Sequence, residues 1–108
     1  MAKIPARVER IIKKYIEELA MELPIHRVIL FGSYAKGKYK PSKSDVDLAV
    51  FSDAFKGKRW VKVNTFLLSK THKYPIDISP LGFTTEDFRN KDKNDFIAAI
   101  KRDGIVVK

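Results

Sequence analysis

Two short apolar runs, each next to residues that favour a turn, constrain the fold of this chain most. Residues 26–31 end in Val-Ile-Leu-Phe and stop abruptly at Gly32-Ser33, and residues 45–51 read Asp-Val-Asp-Leu-Ala-Val-Phe. Apolar runs of this length, rich in β-branched and aromatic residues, favour strands over helices. A continuous apolar end is typical of a strand that is buried in a sheet. We therefore predict two strands, the first of them buried.

Three other segments have the apolar spacing of three and four residues that amphipathic helices show. They are residues 5–22, 58–71 and 94–102. Pro5 suits a first helical turn, and Thr84 suits the cap of a further short helix. The side chains that we predict to face the core from the second and third helices are Trp60, Val63, Phe66, Leu67, Phe96, Ile97 and Ile100.

The remaining segments predict two more strands and one loop. Residues 75–81 form a third strand, which Pro75 and Pro80 at its ends make short or edge-placed. Residues 105–107 form a last strand, and residues 34–44 form a loop that starts with one helical turn. This order of elements predicts an α/β (α+β) fold, a single mixed β-sheet with helices packed on it. The 108 residues suit a single domain, residues 1–108.

The composition excludes several classes of function. The chain has no cysteine, which excludes disulfides, zinc-thiolate sites and thiol catalysis. It has no apolar run of membrane-spanning length and no signal peptide pattern, so we expect a cytoplasmic protein without a membrane partner. The formal net charge of +9 fits a polyanionic partner, nucleic acid or nucleotide, and equally fits solubility. His26 and His72 have no metal-ligand spacing, and we predict that both are structural or solvent-facing.

Asp45 and Asp47 are the first candidate site residues. Side chains alternate along a strand, so both carboxylates leave one face, roughly 7 Å apart. Two such acids repel each other unless a cation lies between them, and carboxylate oxygens suit magnesium. An exposed strand edge with solvated acids is the alternative, and it is favoured for an Asp-x-Asp pattern alone.

Gly32, Ser33 and Asp77 are the other candidates. Gly32 lets the backbone approach a ligand closely, and Ser33 can start a helical turn whose free amides face an anion. Asp77 lies between Ile76 and Ile78, and a carboxylate in an apolar strand needs a partner. A neighbouring strand would bring it beside the other two acids. The alternatives are an ordinary strand-to-turn junction at Gly32 and an ion pair or capping role for Asp77.

Taken together, these motifs carry a resemblance to a known family. The stretch Gly-Ser-Tyr-Ala-Lys-Gly at 32–37, followed by Ser-Asp-Val-Asp-Leu at 44–48, resembles the signature of the polymerase-beta-like nucleotidyltransferase superfamily. Within it, the length and the small-residue loop resemble the minimal nucleotidyltransferase (MNT) subfamily, which includes the antitoxins of HEPN/MNT toxin–antitoxin pairs. The likeness is specific over residues 31–50 and extends by element order over residues 25–108.

The resemblance implies a nucleotidyltransferase fold and a role for each candidate. Asp45 and Asp47 would bind two Mg²⁺ ions, and Asp77 would bind one of them and help to remove a proton from the attacking hydroxyl. Gly32 and Ser33 would hold the β- and γ-phosphates. Lys36 lies where a cation could meet the triphosphate.

The implied activity is transfer of AMP from ATP to a hydroxyl group of a HEPN-type partner protein. One alternative is a catalytically silent antitoxin that only masks its partner, although such a module has no physical need for three acids. Another is a DNA-binding autorepressor, which the net charge would suit but which no helix-turn-helix or RNP-like pattern supports.

Two departures from the MNT pattern affect the loop. Eleven residues, 34–44, separate Ser33 from Asp45, one more than in many members of the subfamily. Tyr34 stands where many members carry an arginine. We therefore expect a wider loop and altered contacts with the phosphates, while the predicted metal site is unaffected.

Overall fold

The computed structural model describes residues 4–40, 43–90 and 94–108 and has both helices and strands. The helices are α1 (Ala6–Glu22), α2 (Ser33–Lys36), α3 (Trp60–Ser69), α4 (Thr85–Arg89) and α5 (Asp95–Asp103). The strands are β1 (Arg27–Phe31), β2 (Val46–Phe51), β3 (Ile78–Phe83) and β4 (Ile105–Val106), and one 3₁₀ turn covers Asp53–Phe55. In the part of the chain described, no helix combines the length and apolar character needed to cross a membrane.

The four strands form one mixed sheet in the order β3-β2-β1-β4. β1 is antiparallel to both β2 and β4, whereas β2 is parallel to β3. The predicted mixed sheet with helices packed on it is therefore confirmed. β1 and β2 are the central strands, which explains why their sequences are the most continuously apolar in the chain.

One face of the sheet carries the larger part of the core. Val28 and Leu30 of β1 alternate with residues of the opposite face and pack with side chains of α1 and α3. Tyr15 of α1 is fully buried, and its hydroxyl donates a 2.8 Å hydrogen bond to the carbonyl of Leu67 in α3. This bond ties the two helices together. The buried stripe of α1 consists of Val8, Ile11, Ile12, Tyr15, Ile16 and Leu19.

A smaller aromatic cluster covers the other face. Ile29, Ala49 and Phe51 of the central strands pack with Ile97 and Ile100 of α5. Three partly buried aromatic side chains complete this cluster, namely Phe31, Phe83 and Phe88. The central strands are thus apolar on both faces because helices cover both.

The edge strand β3 lies close to α3 at Gly82. A Cβ atom built on Gly82 would lie 2.4 Å from Cγ1 of Val63, so only glycine fits there without movement. The backbone N–H of Gly82 donates to Oδ1 of Asn64, at 2.7 Å. The side chain of Asn64 in α3 therefore satisfies a backbone donor of the edge strand.

The structure corrects the predicted position of the third strand. β3 begins at Ile78 and ends at Phe83, rather than covering residues 75–81, and Pro80 lies inside it rather than at its end. Of the two alternatives predicted, a short strand or an edge strand, the edge placement is confirmed, since among the strands of the described residues β3 pairs with β2 alone. An edge strand tolerates an internal proline because one row of its backbone groups is not needed for pairing.

Two side chains predicted to face the core are largely exposed. Trp60 is 59% exposed and Phe96 is 49% exposed. Each lies in the first turn of its helix, and the buried residues follow one position or one turn later, at Val63 in α3 and at Ile97 in α5. A helical pattern does not show where a helix first meets the sheet. The predicted Thr84 cap is confirmed, with a capping box formed by Asp87.

Candidate functional site

Gly32 joins β1 to α2 and lies directly against the carboxylate of Asp47. Its backbone has φ 75° and ψ −150°, a conformation that favours glycine. A Cβ atom at this position would lie 2.2 Å from Oδ2 of Asp47. The contact follows from the antiparallel register, which pairs Phe31 with Asp47. The sequence predicted a close approach of the backbone at Gly32, and the structure shows an acid of the same chain there.

The helical turn predicted after Gly32 is confirmed as α2. Lys36 donates its first intrahelical hydrogen bond, 3.2 Å long, to the carbonyl of Gly32. In a helix, the backbone N–H groups before this first donor have no intrahelical acceptor. Ser33 lies at the start of this turn and is partly buried. The turn therefore presents backbone donors beside Asp47.

Tyr34 is a core residue rather than a site residue. Its side chain is 3% exposed and stacks on Tyr39, with ring centroids 4.4 Å apart and planes within 6°. The stack holds the first part of the loop against the core. The position where many MNT members carry an arginine is thus used here for packing. Residues 41–42 of the loop lie outside the described residues.

The carboxyl of Asp47 lies within reach of the negative charge of Asp45. Asp47 lies in β2 and is partly buried, whereas Asp45 lies just before the strand and is exposed. Burial raises the pKa of the Asp47 carboxyl above its ordinary value, and the negative charge of Asp45 raises it further. Asp45 is thus close enough to Asp47 to affect it, while binding of a cation by the two acids stays a prediction.

Asp77 lies beside Asp45 but does not complete a three-acid cluster. The backbone N–H of Val46 donates a 2.8 Å hydrogen bond to the carbonyl of Asp77. This bond sets the segment before β2 beside the segment before β3. Asp45 and Asp77 line one cavity of about 380 Å³, to which Ser79 also contributes. No group of three or more acidic or histidine side chains converges within the described ranges. Asp77 precedes β3, and its side chain is exposed to solvent. Three carboxylates of like charge repel each other, which explains why they do not converge without a cation.

Lys36 does not line this cavity and instead lines a second, smaller one. This cavity measures about 150 Å³ and is also lined by Gly32, Phe31, Phe96 and Asp103. No local pattern indicates that Phe96 and Asp103 lie here, because the packing of α5 beside α2 depends on the strand order. Lys36 itself is exposed.

The two histidines differ in their surroundings. The ring of His26 packs edge-on against Phe88, with centroids 5.3 Å apart, so it has a structural role. His72 is exposed and lines the cavity of Asp45 and Asp77. Tyr74 lines it as well. No sequence pattern indicates that either residue lies at this cavity, because both belong to the irregular segment between α3 and β3.

The sequence of this chain matches a known protein family. The family described as "Nucleotidyltransferase domain" matches residues 12–106, which include every candidate residue named above. The chain belongs to the nucleotidyltransferase domain family. Family and fold support nucleotide transfer as its class of activity. No curated protein sequence matches the chain significantly.

The nucleotidyltransferase fold is also found in a solved structure. A Sulfolobus solfataricus protein, named as a nucleotidyltransferase, superposes with a TM-score of 0.60. The match covers 85% of this chain and 86% of that chain, at 23% sequence identity. At this identity the likeness shows the fold alone.

The carboxylate oxygens near Gly32 are donor atoms that fit a hard divalent cation. Asp45 and Asp47 supply carboxylate oxygens, the ligands that magnesium prefers, and magnesium typically uses one or two carboxylates together with substrate phosphates. The crowded, partly buried carboxylate of Asp47 has a raised pKa, so a nearby positive charge would stabilise it. The backbone of Gly32 leaves room for that carboxylate, which a side chain would fill.

Proposed function

We propose that this chain transfers AMP from ATP to an acceptor hydroxyl in a magnesium-dependent reaction. The observation that carries the proposal is the contact between Gly32 and Asp47. It sets the backbone donors that suit phosphate oxygens next to the carboxylate that suits a cation. A nucleoside triphosphate with its magnesium needs both kinds of group side by side.

Each residue has a role in this reaction. Asp45 and Asp47 would hold the magnesium ions, with Asp77 at the side of Asp45. Gly32 and Ser33 would bind the β- and γ-phosphates through backbone N–H groups, and Lys36 would add positive charge. When bound, magnesium supplies charge that offsets the negative charge on the reacting phosphate oxygens.

The reaction exchanges a phosphoanhydride bond of ATP for a phosphoester bond to the acceptor. The acceptor oxygen forms a bond to the α-phosphorus, and the bond from that phosphorus to the bridging oxygen of the β-phosphate breaks. Pyrophosphate leaves with the bonding electron pair, and the hydroxyl proton passes to the Asp77 carboxylate and then to water. Holding the hydroxyl and the α-phosphate in line contributes much of the rate acceleration in such transfers.

The proposed acceptor is a hydroxyl group on a HEPN-type toxin. Support comes from the resemblance of the Gly32–Lys36 turn and of the Asp45-x-Asp47 pattern to MNT antitoxins. A second candidate function is masking of the toxin without catalysis. It is favoured by one observation, that the carboxylate of Asp77 does not converge with the other two acids.

An AMP transfer assay separates the two functions. The chain is incubated with magnesium, ATP labelled at the α-phosphate and the HEPN-type protein encoded beside it. We expect label on the HEPN protein, and none with Asp47→Asn. Asp53→Asn, which changes an exposed acid of the 3₁₀ turn, is the matched control and should label normally. Tight binding of the HEPN protein without any label would establish masking instead.

A further inference from the structure

The small cavity beside Gly32 has an aromatic wall that the roles described above do not use. Phe31 and Phe96 meet edge to face in it, with ring centroids 5.7 Å apart and planes at 90°. Phe96 is 49% exposed, although it belongs to a helix whose two isoleucines, Ile97 and Ile100, pack inward. An aromatic ring left half exposed at the edge of a cavity offers one face to a flat ligand.

The position of the cavity connects this ring to the triphosphate residues. Gly32 and Lys36 line the same cavity as Phe96, so the proposed phosphate site and the exposed ring are adjacent. Phe31 lies in β1 opposite Asp47, so the aromatic pair lies on the face of the sheet that carries the Asp47 carboxylate. A nucleotide with phosphates at Gly32 would therefore have its base within reach of Phe96.

The size and lining of the cavity restrict which part of a nucleotide enters it. Its volume of about 150 Å³ lies below the roughly 300 Å³ at which pockets for whole small ligands begin. It can take one flat group and leave the rest of the ligand outside. Phe31, Phe96 and Ile100 line it with carbon atoms, which suits a ring system better than a phosphate or a sugar.

The acidic group at the cavity is already paired. The carboxylate of Asp103 accepts hydrogen bonds of 3.2 and 3.1 Å from the guanidinium of Arg102. These bonds, together with the positive charges of Arg102 and Lys36, lower the pKa of the Asp103 carboxyl below its ordinary value. An ionised, paired acid does not select one base over another by donating a hydrogen bond.

We propose that the base of the donor nucleotide stacks on the exposed face of Phe96. This inference rests on the proposed function, since the triphosphate at Gly32 brings the base there. Stacking on an aromatic side chain is tolerant of base identity, because every base has a π-face. Phe96 therefore contributes affinity for purine nucleotides without choosing between adenine and guanine.

Calorimetric titrations with three ligands test the proposal. The ligands are ATP, GTP and inorganic tripolyphosphate, each with excess magnesium, and the last has the phosphates without a base. We expect Phe96→Ala to weaken ATP and GTP alike, about fivefold to tenfold, the lower part of the range for loss of one stacking partner. Tripolyphosphate should bind the variant as it binds the unaltered chain.

Two further variants control for packing. Phe96→Leu keeps an apolar contact with Phe31 but has no π-face, so it should weaken both nucleotides as Phe96→Ala does. Trp60→Ala removes another exposed aromatic ring, from a helix on the other face of the sheet, and should change no affinity. Phe96→Trp should bind both nucleotides at least as tightly as the unaltered chain.

The outcomes that overturn the inference are distinct from those that overturn the proposed function. If Phe96→Leu binds ATP as tightly as the unaltered chain, or if it weakens tripolyphosphate by the same factor, the base does not stack on Phe96. If the unaltered chain binds neither nucleotides nor tripolyphosphate, the proposed function fails first. Binding of all three ligands with no effect of Phe96 leaves the proposed function standing and removes this inference alone.

Discussion

Replacing Gly32 with alanine should damage both stability and the site, for two separable reasons. The backbone conformation at φ 75° and ψ −150° is one that alanine adopts at a cost of about 1–3 kcal/mol. The new methyl group would also lie 2.2 Å from Oδ2 of Asp47, well inside van der Waals contact. The aspartate can relieve this clash by rotating away, which moves the carboxylate from its place. We therefore expect a loss of stability set mainly by backbone strain and a large loss of magnesium-dependent ATP binding.

A thermal melt followed by circular dichroism measures the first effect. For a domain of this size, about 1 kcal/mol corresponds to roughly 4–8 °C in Tm, so Gly32→Ala should lower Tm by at least about 4 °C. Gly37→Ala is the matched control, because Gly37 has φ 71° but no atom within 4 Å of a built Cβ. The control should lose comparable stability and keep ATP binding.

A double variant isolates the clash from the strain. In the Asp47→Ala background the nearest carboxylate atoms are gone, so the further change Gly32→Ala should cost only the strain. Its cost there should not exceed its cost in the unaltered chain. If Gly32→Ala keeps both the Tm and the ATP affinity of the unaltered chain, the Gly32–Asp47 contact is not as close as the structure has it, which contradicts the expected clash.

Three further changes have effects that follow from single contacts. Tyr15→Phe removes the buried hydroxyl that donates to the carbonyl of Leu67, which still accepts from the N–H of Lys70. It should cost about 0.5–1.5 kcal/mol in the free energy of unfolding, measured by urea denaturation. Gly82→Ala forces a methyl group to 2.4 Å from Val63 and should cost about 1–3 kcal/mol in the same assay, while Asn64→Ala tests the neighbouring edge hydrogen bond separately. Asp47→Asn removes a carboxylate whose charged form is disfavoured by burial and by the charge of Asp45. Without magnesium it should therefore raise Tm, although it abolishes AMP transfer. An unchanged or lower Tm would contradict this electrostatic effect.

The elements that sequence predicts well here are those determined by neighbouring residues. The apolar stripe of α1, the helical turn after Gly32 and the cap at Thr84 all depend on contacts within a few positions of the chain. The two central strands were recognisable because they are apolar on both faces. The spacing of Asp45 and Asp47 likewise determines their proximity, since both belong to one segment.

Features that depend on strand pairing could not be predicted in the same way. Which acid faces Gly32 depends on the antiparallel register of β1 and β2, and nothing local encodes that register. Pro80 was expected to end β3, but the edge position of the strand lets it lie inside. Phe96 was expected to be buried, and its place beside Gly32 depends on how α5 crosses the far face of the sheet.

The central claim is that Gly32 and Asp47 form one site for a triphosphate and its magnesium. Titration of ATP into the chain by calorimetry, with and without millimolar magnesium, tests this most directly when Asp47→Asn is measured beside it. We predict ATP binding that requires magnesium in the unaltered chain and that is lost in Asp47→Asn. Equal ATP binding with and without magnesium, or undiminished magnesium-dependent binding by Asp47→Asn, would contradict the claim.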